Sequence, residues 1–490
     1  MGANVQNADR LGCRSMARLL TTLLAALLVV LATPASASAD GAKAASTAAA
    51  PASDAQIERW LRFRIERQRL GTGGVVAILR PSGRSLIAYG PSDRGRARRL
   101  GGDSVFEIAS LSKVFTALLL ADFVVGGDAR LEDPLAKYVP TGVTVPQFDG
   151  AAITLADLAT HTSGLPLRPG NLEGAPDRPN KYAGYSFAQL YADLPNHVLT
   201  HAPGSQFRYS NLGVALLGQG LAFRAQEPFP ELLRRRVTGP LGLVDTHFGD
   251  PPEWAGRRAQ GHDPDLNAVV ASDDGVLSPA GGLRSTPNDL LRLMELFLTG
   301  VGPGELPAAA RLMMEVDRPG DDANTRMALG WRRTTIHGET YYWSHGSGDG
   351  ARTFMGFNPA RRIGVVAIAD AASGAGLDDI ARRVLDPQQD VDLKVTPRRR
   401  EIAVPAAALE RVLGTYEYAA DDRLQISRGE TGLIVTAGAG QLLIVPQSPT
   451  RFFSKYGGDI LFDFPGSGRS PSPTLVLRQD AETFVYRRVP

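Results

Sequence analysis

A serine and a lysine three positions apart carry the first chemical signal in this sequence. Ser110 and Lys113 lie in FEIASLSKVFTALLLADFV, where an extended apolar run meets an amphipathic helical run. Residues three apart on a helix lie on the same face, one turn from each other. If the helix begins in an apolar interior, burial disfavours the ammonium, and the neutral amine can take the serine proton. The pair therefore predicts a nucleophilic serine that forms an acyl-enzyme.

The competing interpretation is a solvated surface lysine, because a Ser-x-x-Lys match is short and most lysines are exposed. The chain has six lysines, and only Lys113 has a serine three positions before it. Val114, Phe115 and Leu118 surround it with apolar side chains. These neighbours favour a buried helix and the catalytic interpretation.

A tyrosine and an asparagine two positions apart could supply the second proton-transfer group. Tyr209 and Asn211 follow a Pro-Gly turn and open an apolar helical run. Beside a cation such as Lys113, a phenol ionises more easily and can carry protons to the leaving group. The Asn211 amide can hydrogen-bond a substrate carbonyl. The alternative is a structural tyrosine followed by a helix-capping asparagine.

The segment His345-Gly346-Ser347-Gly348 follows a strand-like run and could line a substrate cleft. Glycines after a strand allow a ligand to approach the backbone. Their amides could form an oxyanion hole with the amide of Ser110. The alternative is an ordinary glycine-rich hairpin loop.

Other short motifs predict no chemistry. The segment 161–164 (HTSG) is interpreted as a structural loop, and no G-x-S-x-G elbow occurs. Asp133, Asp273 and Asp274 are interpreted as surface or capping groups, because no His/Cys/Asp cluster has metal-ligand spacing. We therefore expect neither a metal nor another cofactor.

The N-terminal region has the pattern of a secretory signal peptide over residues 1–39. Arg14 and Arg18 precede an apolar stretch that ends in small-residue cleavage signals, although a retained anchor is the alternative. The open reading frame could also begin at Met16. Cleavage after Ala39 removes the chain's single cysteine, Cys13, and a net charge of +2, so the mature chain is close to neutral. We expect an exported, periplasmic or secreted protein with no stable membrane span after cleavage and no nucleic-acid partner.

Composition and pattern divide the 490 residues into five segments. After the signal peptide, a flexible leader is predicted for residues 40–53. Two strands near 75–89 and three strands near 339–369 are predicted to share one antiparallel sheet, with a helical region inserted between them. This domain is placed at residues 54–388, and a charged linker at 389–404. Short strand candidates at regular spacing then predict an all-β barrel or sandwich over residues 405–490.

These motifs, in this order, resemble the class C branch of the serine β-lactamase and penicillin-binding protein superfamily. Four connecting segments are also similar to that branch, especially to its peptidases that act on D-alanyl peptides: LEDPLAKYVP, ITLADLATHTSGLP, PGSQFRYSNLG and GGLRSTPNDLLRL. The resemblance implies an α+β fold, in which an antiparallel sheet is covered by helices and carries an inserted helical domain. It also implies that the small C-terminal all-β barrel is lipocalin-like.

The resemblance implies roles for individual residues. Ser110 would be the nucleophile, Lys113 and Tyr209 would manage the protons, and Asn211 would position the substrate. His345 would stand on the strand bordering the cleft, and the amides of Ser110 and Gly348 would form the oxyanion hole.

Two departures from the family pattern concern this strand. The pattern has glycine two residues after the histidine, where this chain has Ser347, and the loop is one residue short. Ser347 could therefore replace Gly348 as the oxyanion donor. His345 is also a weaker cation than the lysine found in many members, and Arg352 could supply the missing charge.

These observations predict an exported serine hydrolase that acts on acyl-D-alanyl cell-wall peptides or β-lactams. An esterase or D-amino-acid amidase with the same machinery is the alternative. A β-lactam-binding sensor or scaffold is the non-enzymatic alternative, and assembly into a homo-oligomer is left open.

Overall fold

The computed structural model describes residues 50–91, 99–172, 182, 184–270, 273–395, 399–419, 422–429, 432–437, 440–455, 460–466, 470–479 and 482–490. The predicted signal peptide and most of the predicted leader lie outside these residues. The chain divides into two compact units between Val395 and Thr396, a point inside the predicted linker. In the described residues, no helix is both long enough and apolar enough to cross a membrane.

The first unit is built around an antiparallel sheet. The strands of this unit, in chain order, are β1 (Gly74–Arg80), β2 (Gly83–Tyr89), β3 (Phe106–Glu107), β4 (Gln147–Phe148), β5 (Ala151–Ala152), β6 (His247–Phe248), β7 (Gly261–His262), β8 (Ala268–Val269), β9 (Leu283–Ser285), β10 (Arg318–Pro319), β11 (Thr325–Met327), β12 (Arg332–Ile336), β13 (Glu339–Ser347), β14 (Arg352–Asn358) and β15 (Ile363–Ala369). Among the described residues, the main sheet has eight strands in the order β10-β11-β12-β13-β14-β15-β1-β2.

Strand β1, which lies between β15 and the edge strand β2, joins the two ends of this unit. Val75 pairs with Ile368, and Val76 pairs with Ala367. Successive residues of β1 point to opposite faces, so Val75 packs into one core cluster and Val76 into another. Both faces of the strand are therefore covered, which explains why its sequence is apolar from Val75 to Leu79. The prediction that the early and late strands share one sheet is confirmed.

Helices cover the sheet and form the region inserted between β2 and β10. They are α1 (Asp54–Glu66), α2 (Ser112–Val125), α3 (Leu155–Ala159), α4 (Phe187–Asp193), α5 (Asn211–Ala225), α6 (Phe229–Leu233), α7 (Pro287–Thr299), α8 (Leu306–Glu315) and α9 (Asp378–Leu385). Helix α7 begins with a capping residue: Thr286 accepts a hydrogen bond from the amide of Asp289, and Pro287 occupies the first turn. Helix α2 is buried over nearly all its length, as expected from its apolar composition.

The second unit is a closed antiparallel barrel. In its described residues, helix α10 (Ala406–Val412) precedes eight strands: β16 (Gly414–Ala419), β17 (Asp422–Arg428), β18 (Leu433–Ala437), β19 (Gly440–Ser448), β20 (Arg451–Ser454), β21 (Ile460–Asp463), β22 (Thr474–Gln479) and β23 (Glu482–Val489). Strand β23 pairs with β16 and closes the barrel. The predicted barrel is confirmed.

The prediction that residues 405–490 are all β was wrong at their start. Residues Ala406–Val412 form helix α10, and strand β16 begins only at Gly414. Pro405 directly precedes the helix, and the alanines, leucine, glutamate and arginine that follow have high helix propensity. These residues favour a helical turn over a strand.

Side chains fill the interior of the barrel. Phe452 and Phe464 meet edge to face with ring centres 5.5 Å apart, and Tyr416 contacts Phe464 at 5.6 Å. The Tyr416 hydroxyl donates a hydrogen bond to the carbonyl of Val412. Aromatic packing of this kind makes the interior a hydrophobic core.

We expect Phe452→Ala to destabilise the barrel by about 3–5 kcal/mol, because it leaves a cavity in a fully buried aromatic cluster. Chemical unfolding of a fragment covering residues 399–490, monitored by far-ultraviolet circular dichroism, would measure this loss of stability. Val485→Ala is the matched control, since that side chain is half exposed. Equal stability losses in the two variants would contradict a packed interior.

Candidate active site

Ser110 lies in a tight turn at the start of α2. Residues Ala109–Leu111 form a single 3-10 turn, and Ala109 has a positive φ of 46°. Non-glycine residues rarely adopt this conformation, which persists only where surrounding contacts enforce it. Ser112 supplies such contacts: its hydroxyl donates to the Ala109 carbonyl at 2.7 Å and accepts from the Leu283 amide at 3.0 Å. The second serine of the motif is therefore structural.

The amine of Lys113 lies directly beside the Ser110 hydroxyl. Its Nζ is 2.8 Å from Ser110 Oγ and 2.6 Å from the carbonyl oxygen of Ala280. Only 4% of Lys113 is exposed to solvent. The predicted helical spacing thus places the amine within proton-transfer distance of the hydroxyl.

Tyr209 approaches the same hydroxyl from a different segment. Its phenolic oxygen is 2.8 Å from Ser110 Oγ, and the Lys113 Nζ lies 5.0 Å from the centre of its ring. Burial alone would raise the pKa of Tyr209. The charge and hydrogen bonding of Lys113 outweigh burial, with help from Ser110 and Arg332, and hold this pKa below its ordinary value.

The ring of His161 packs against the ring of Tyr209, and sequence reasoning missed His161 as part of the site. Its ring centre lies 4.3 Å from that of Tyr209, and its Nδ1 accepts the amide of Ser210 at 3.2 Å. Burial, together with the charges of Lys113 and Arg332, moves the pKa of His161 well below its usual value. The ring is therefore neutral. The HTSG segment is a loop, as predicted, but it also fixes the tyrosine.

Asn211 is the first residue of α5, two positions beyond Tyr209. Its side-chain Oδ1 is buried and has no hydrogen-bond partner among the described residues. Its backbone amide donates to the carbonyl of Leu167. Because an unpaired buried amide oxygen is costly, it can accept a donor from a bound ligand. This agrees with the substrate-positioning role predicted for it.

The end of β13 packs against the Ser110 turn through Gly346. A β-carbon added at Gly346 would lie 2.5 Å from the Ile108 carbonyl oxygen and 3.0 Å from the Ser110 amide nitrogen. Thr353 Oγ1 on the neighbouring strand also donates to this carbonyl, at 3.1 Å. Only glycine permits so close an approach of two backbones. The glycine that faces Ser110 therefore comes one residue after His345, not two.

The two candidate oxyanion amides on this strand differ in their availability. The Gly348 amide already donates to the Ala351 carbonyl at 3.0 Å and closes the hairpin. Amides along an antiparallel strand point alternately toward and away from the partner strand. The Ser347 amide therefore points away from β14. On that side, β12 pairs with β13 only as far as Trp343, so β12 does not cover the Ser347 amide. This geometry favours Ser347 over Gly348.

His345 and Arg352 lie on the face of β13 and β14 opposite Gly346. His345 shares this face with Trp343, and their ring centres are 5.5 Å apart. Burial, followed by the charge of Arg352 and other nearby cations, moves the pKa of His345 well below its usual value. Arg352 forms a bidentate ion pair with Asp378, whose closest contact is 2.6 Å. The cation predicted at Arg352 is present, but Asp378 balances its charge.

Comparisons with known proteins show what the chain is similar to. The family model described as Beta-lactamase matches residues 63–389. The D-alanyl-D-alanine-carboxypeptidase/endopeptidase AmpH of Escherichia coli K12 is 33% identical over 61% of this chain and 79% of its own length. A beta-lactamase of Lysobacter lactamgenus is 25% identical, over 68% of this chain and 91% of its own.

Solved structures give the same result for the fold. A Yersinia pestis beta-lactamase/D-alanine carboxypeptidase has a TM-score of 0.54 and 27% identity, covering 64% of this chain and 92% of its own. A Pseudomonas syringae beta-lactamase/D-alanine carboxypeptidase has a TM-score of 0.57 and 23% identity, covering 65% and 94%, and it supports the fold alone.

The chain belongs to the beta-lactamase family. Its predicted α+β fold and its class are confirmed: it is a serine hydrolase of the class C β-lactamase and D-alanyl-D-alanine carboxypeptidase type.

Substitution of Gly346 tests whether acylation needs the close approach of β13 to the Ser110 turn. We expect Gly346→Ala to lower the acylation rate by about 10²-fold or more, because the new methyl group displaces the Ser110 turn from the strand. Gly101→Ala is the matched control, since its β-carbon would meet only an ordinary contact at 3.5 Å. Stopped-flow acylation kinetics with a chromogenic β-lactam would compare the two. Equal rates would show that the close approach is not needed.

Proposed function

We propose that the protein acylates Ser110 with acyl-D-alanyl peptides of the cell-wall type, and that β-lactams act as pseudo-substrates. The observation that carries this proposal is the convergence of Lys113 Nζ and Tyr209 Oη on one hydroxyl, each at 2.8 Å. A nucleophile with two adjacent proton-transfer groups is the arrangement that acyl transfer requires.

The proposed reaction has two steps. Ser110 Oγ attacks the carbonyl carbon while its proton passes to the Lys113–Tyr209 pair, and the same pair protonates the departing amine. The amides of Ser110 and Ser347 stabilise the oxyanion, and Asn211 holds the substrate's amide group. Water then repeats the sequence and releases the acyl group as a carboxylic acid.

A peptide substrate is favoured over a β-lactam as the principal one. Among the curated relatives given above, the peptidase AmpH is more similar to this chain than the beta-lactamase is. The strand bordering the cleft also offers a neutral His345 where an efficient lactamase would offer a cation.

The ion pair between Arg352 and Asp378 supports an esterase or D-amino-acid amidase as the second candidate. A substrate with a free carboxylate must compete with Asp378 for this guanidinium. An ester or amide without a terminal carboxylate has no such competitor.

Labelling with a fluorescent penicillin, followed by intact-mass measurement, tests the proposal. We expect the native protein to gain one covalent adduct and Ser110→Ala to gain none. Ser112→Ala is the matched control: it should still be labelled at Ser110, although it loses about 1–3 kcal/mol of stability with two buried hydrogen bonds.

The outcomes separate the candidates. A persistent adduct supports a penicillin-binding peptidase, and rapid turnover of the drug supports a lactamase. Hydrolysis of a p-nitrophenyl ester without an adduct supports the esterase. An adduct that survives in Ser110→Ala would contradict the assignment of the nucleophile. Non-covalent binding of the penicillin, with neither an adduct nor ester hydrolysis, would support a sensor.

We also propose that the protein is exported and that its signal peptide is cleaved after Ala39. The arginines, apolar stretch and small residues of segment 14–39 support this. Expression of the full reading frame in a bacterial host, with intact-mass analysis of the periplasmic and culture fractions, should give a chain beginning at Asp40. Recovery of the uncleaved chain in the membrane fraction would instead support a retained anchor.

A further inference from the structure

The side chain of Arg332 is enclosed by aromatic rings next to the candidate active site. Arg332 is the first residue of β12, and its side chain is 4% exposed. Its guanidinium carbon lies 5.0 Å from the ring centre of Trp343, 5.6 Å from that of Phe207 and 5.9 Å from that of Tyr209. Each distance is within the range of a cation–π interaction.

The hydrogen bonds of this guanidinium are incomplete. Its Nε donates to Asp321 Oδ2 at 2.8 Å, whereas its Nη2 is buried without a hydrogen-bond partner among the described residues. A buried guanidinium normally satisfies all its donors, and an exception calls for a functional explanation. Part of the positive charge therefore faces the rings, including Tyr209.

The charged and titratable groups around the Tyr209 phenol come from four segments. Lys113 and Ser110 face it from the start of α2, His161 from the loop at 161–164, and Arg332 from β12, and Tyr182 interacts with it electrostatically. His161 is neutral and burial raises the pKa of Tyr182 to about 12, so among the described residues the cations that act on the phenol are Lys113 and Arg332.

We propose that Arg332 is a positioning residue that holds the Tyr209 ring and stabilises its phenolate while Ser110 is acylated. This inference rests on the proposed function for its catalytic consequence. A guanidinium suits the position because it stays charged when buried and can lie flat against aromatic rings.

The sign of the effect follows from the charges. Removing the Arg332 cation disfavours the phenolate, so any process that needs the phenolate should require a higher pH. Removing the Asp321 carboxylate strips Arg332 of its counter-ion, so the same process should proceed at a lower pH. Opposite shifts from two neighbouring residues are not expected from a general loss of packing.

The experiment compares Arg332→Gln, Arg332→Lys and Asp321→Asn with the native protein. The acylation rate with a fluorescent penicillin is measured against pH, and Tyr209 ionisation is followed by tyrosinate absorbance, with Tyr209→Phe as the subtracted reference. We expect Arg332→Gln to shift both midpoints upward by about one pH unit or more, and Asp321→Asn to shift them downward. Arg332→Lys should restore most of the native midpoint.

Arg382→Gln is the matched control. Arg382 is also a guanidinium against Trp343, at 4.2 Å, and its Nε also lacks a partner among the described residues. It differs from Arg332 in that its ring contacts are with Trp343 and Phe354, not Tyr209. This variant should leave the Tyr209 midpoint unchanged.

The two readouts separate the two claims. If the native protein forms no adduct, the proposed function fails, but the absorbance titration of the free protein still tests the effect of Arg332. If acylation is seen and both midpoints stay within experimental error in Arg332→Gln and Asp321→Asn, the inference is overturned. If Arg332→Gln does not fold, the Asp321→Asn and Arg332→Lys shifts decide the question.

Discussion

The contact between the Lys113 amine and the Ser110 hydroxyl is the interaction on which the rest of the site depends. An amine that is 4% exposed has lost its water, so protein groups must replace those hydrogen bonds. The Ala280 carbonyl does so at 2.6 Å, which requires the segment before β9 to lie against the start of α2. Ser112 joins the same two segments by bonding both Ala109 and Leu283. The local fold is thus organised around desolvating one lysine.

Several cations lie near the reacting atoms, and their charge affects the ionisation of neighbouring groups. Lys113, Arg332 and Arg352 are cations, and the carboxylates paired with two of them are those of Asp321 and Asp378. A field of this sign keeps His161 and His345 neutral and favours the ionised phenol of Tyr209. It also favours negative charge developing on a substrate carbonyl oxygen, which is the charge that acyl transfer must stabilise.

Local patterns made part of this architecture predictable. Helical spacing placed Lys113 beside Ser110, and strand-like runs identified β1, β2, β13, β14 and β15 of the main sheet, but not β10, β11 and β12. The contributions of His161 and Arg332 could not be predicted, because both depend on contacts with Tyr209 between segments far apart in sequence. His161 lies in a glycine-containing loop, and Arg332 lies in a strand that begins with two arginines. Neither sequence pattern indicates a functional site.

The register of β13 explains why the sequence pattern around His345 looked irregular. A strand alternates its side chains between faces, so the residue that contacts the Ser110 turn fixes the direction of all its neighbours. Because Gly346 occupies that contact, His345 points to the opposite face, and the Ser347 amide points to the open edge. His345 shares this face with Trp343, the residue that pairs with Arg332, and burial with the charge of Arg352 and other cations holds its pKa well below the usual value. A neutral histidine adds no positive charge beside Tyr209, whereas Arg332 on β12 is a buried guanidinium that reaches the Tyr209 ring.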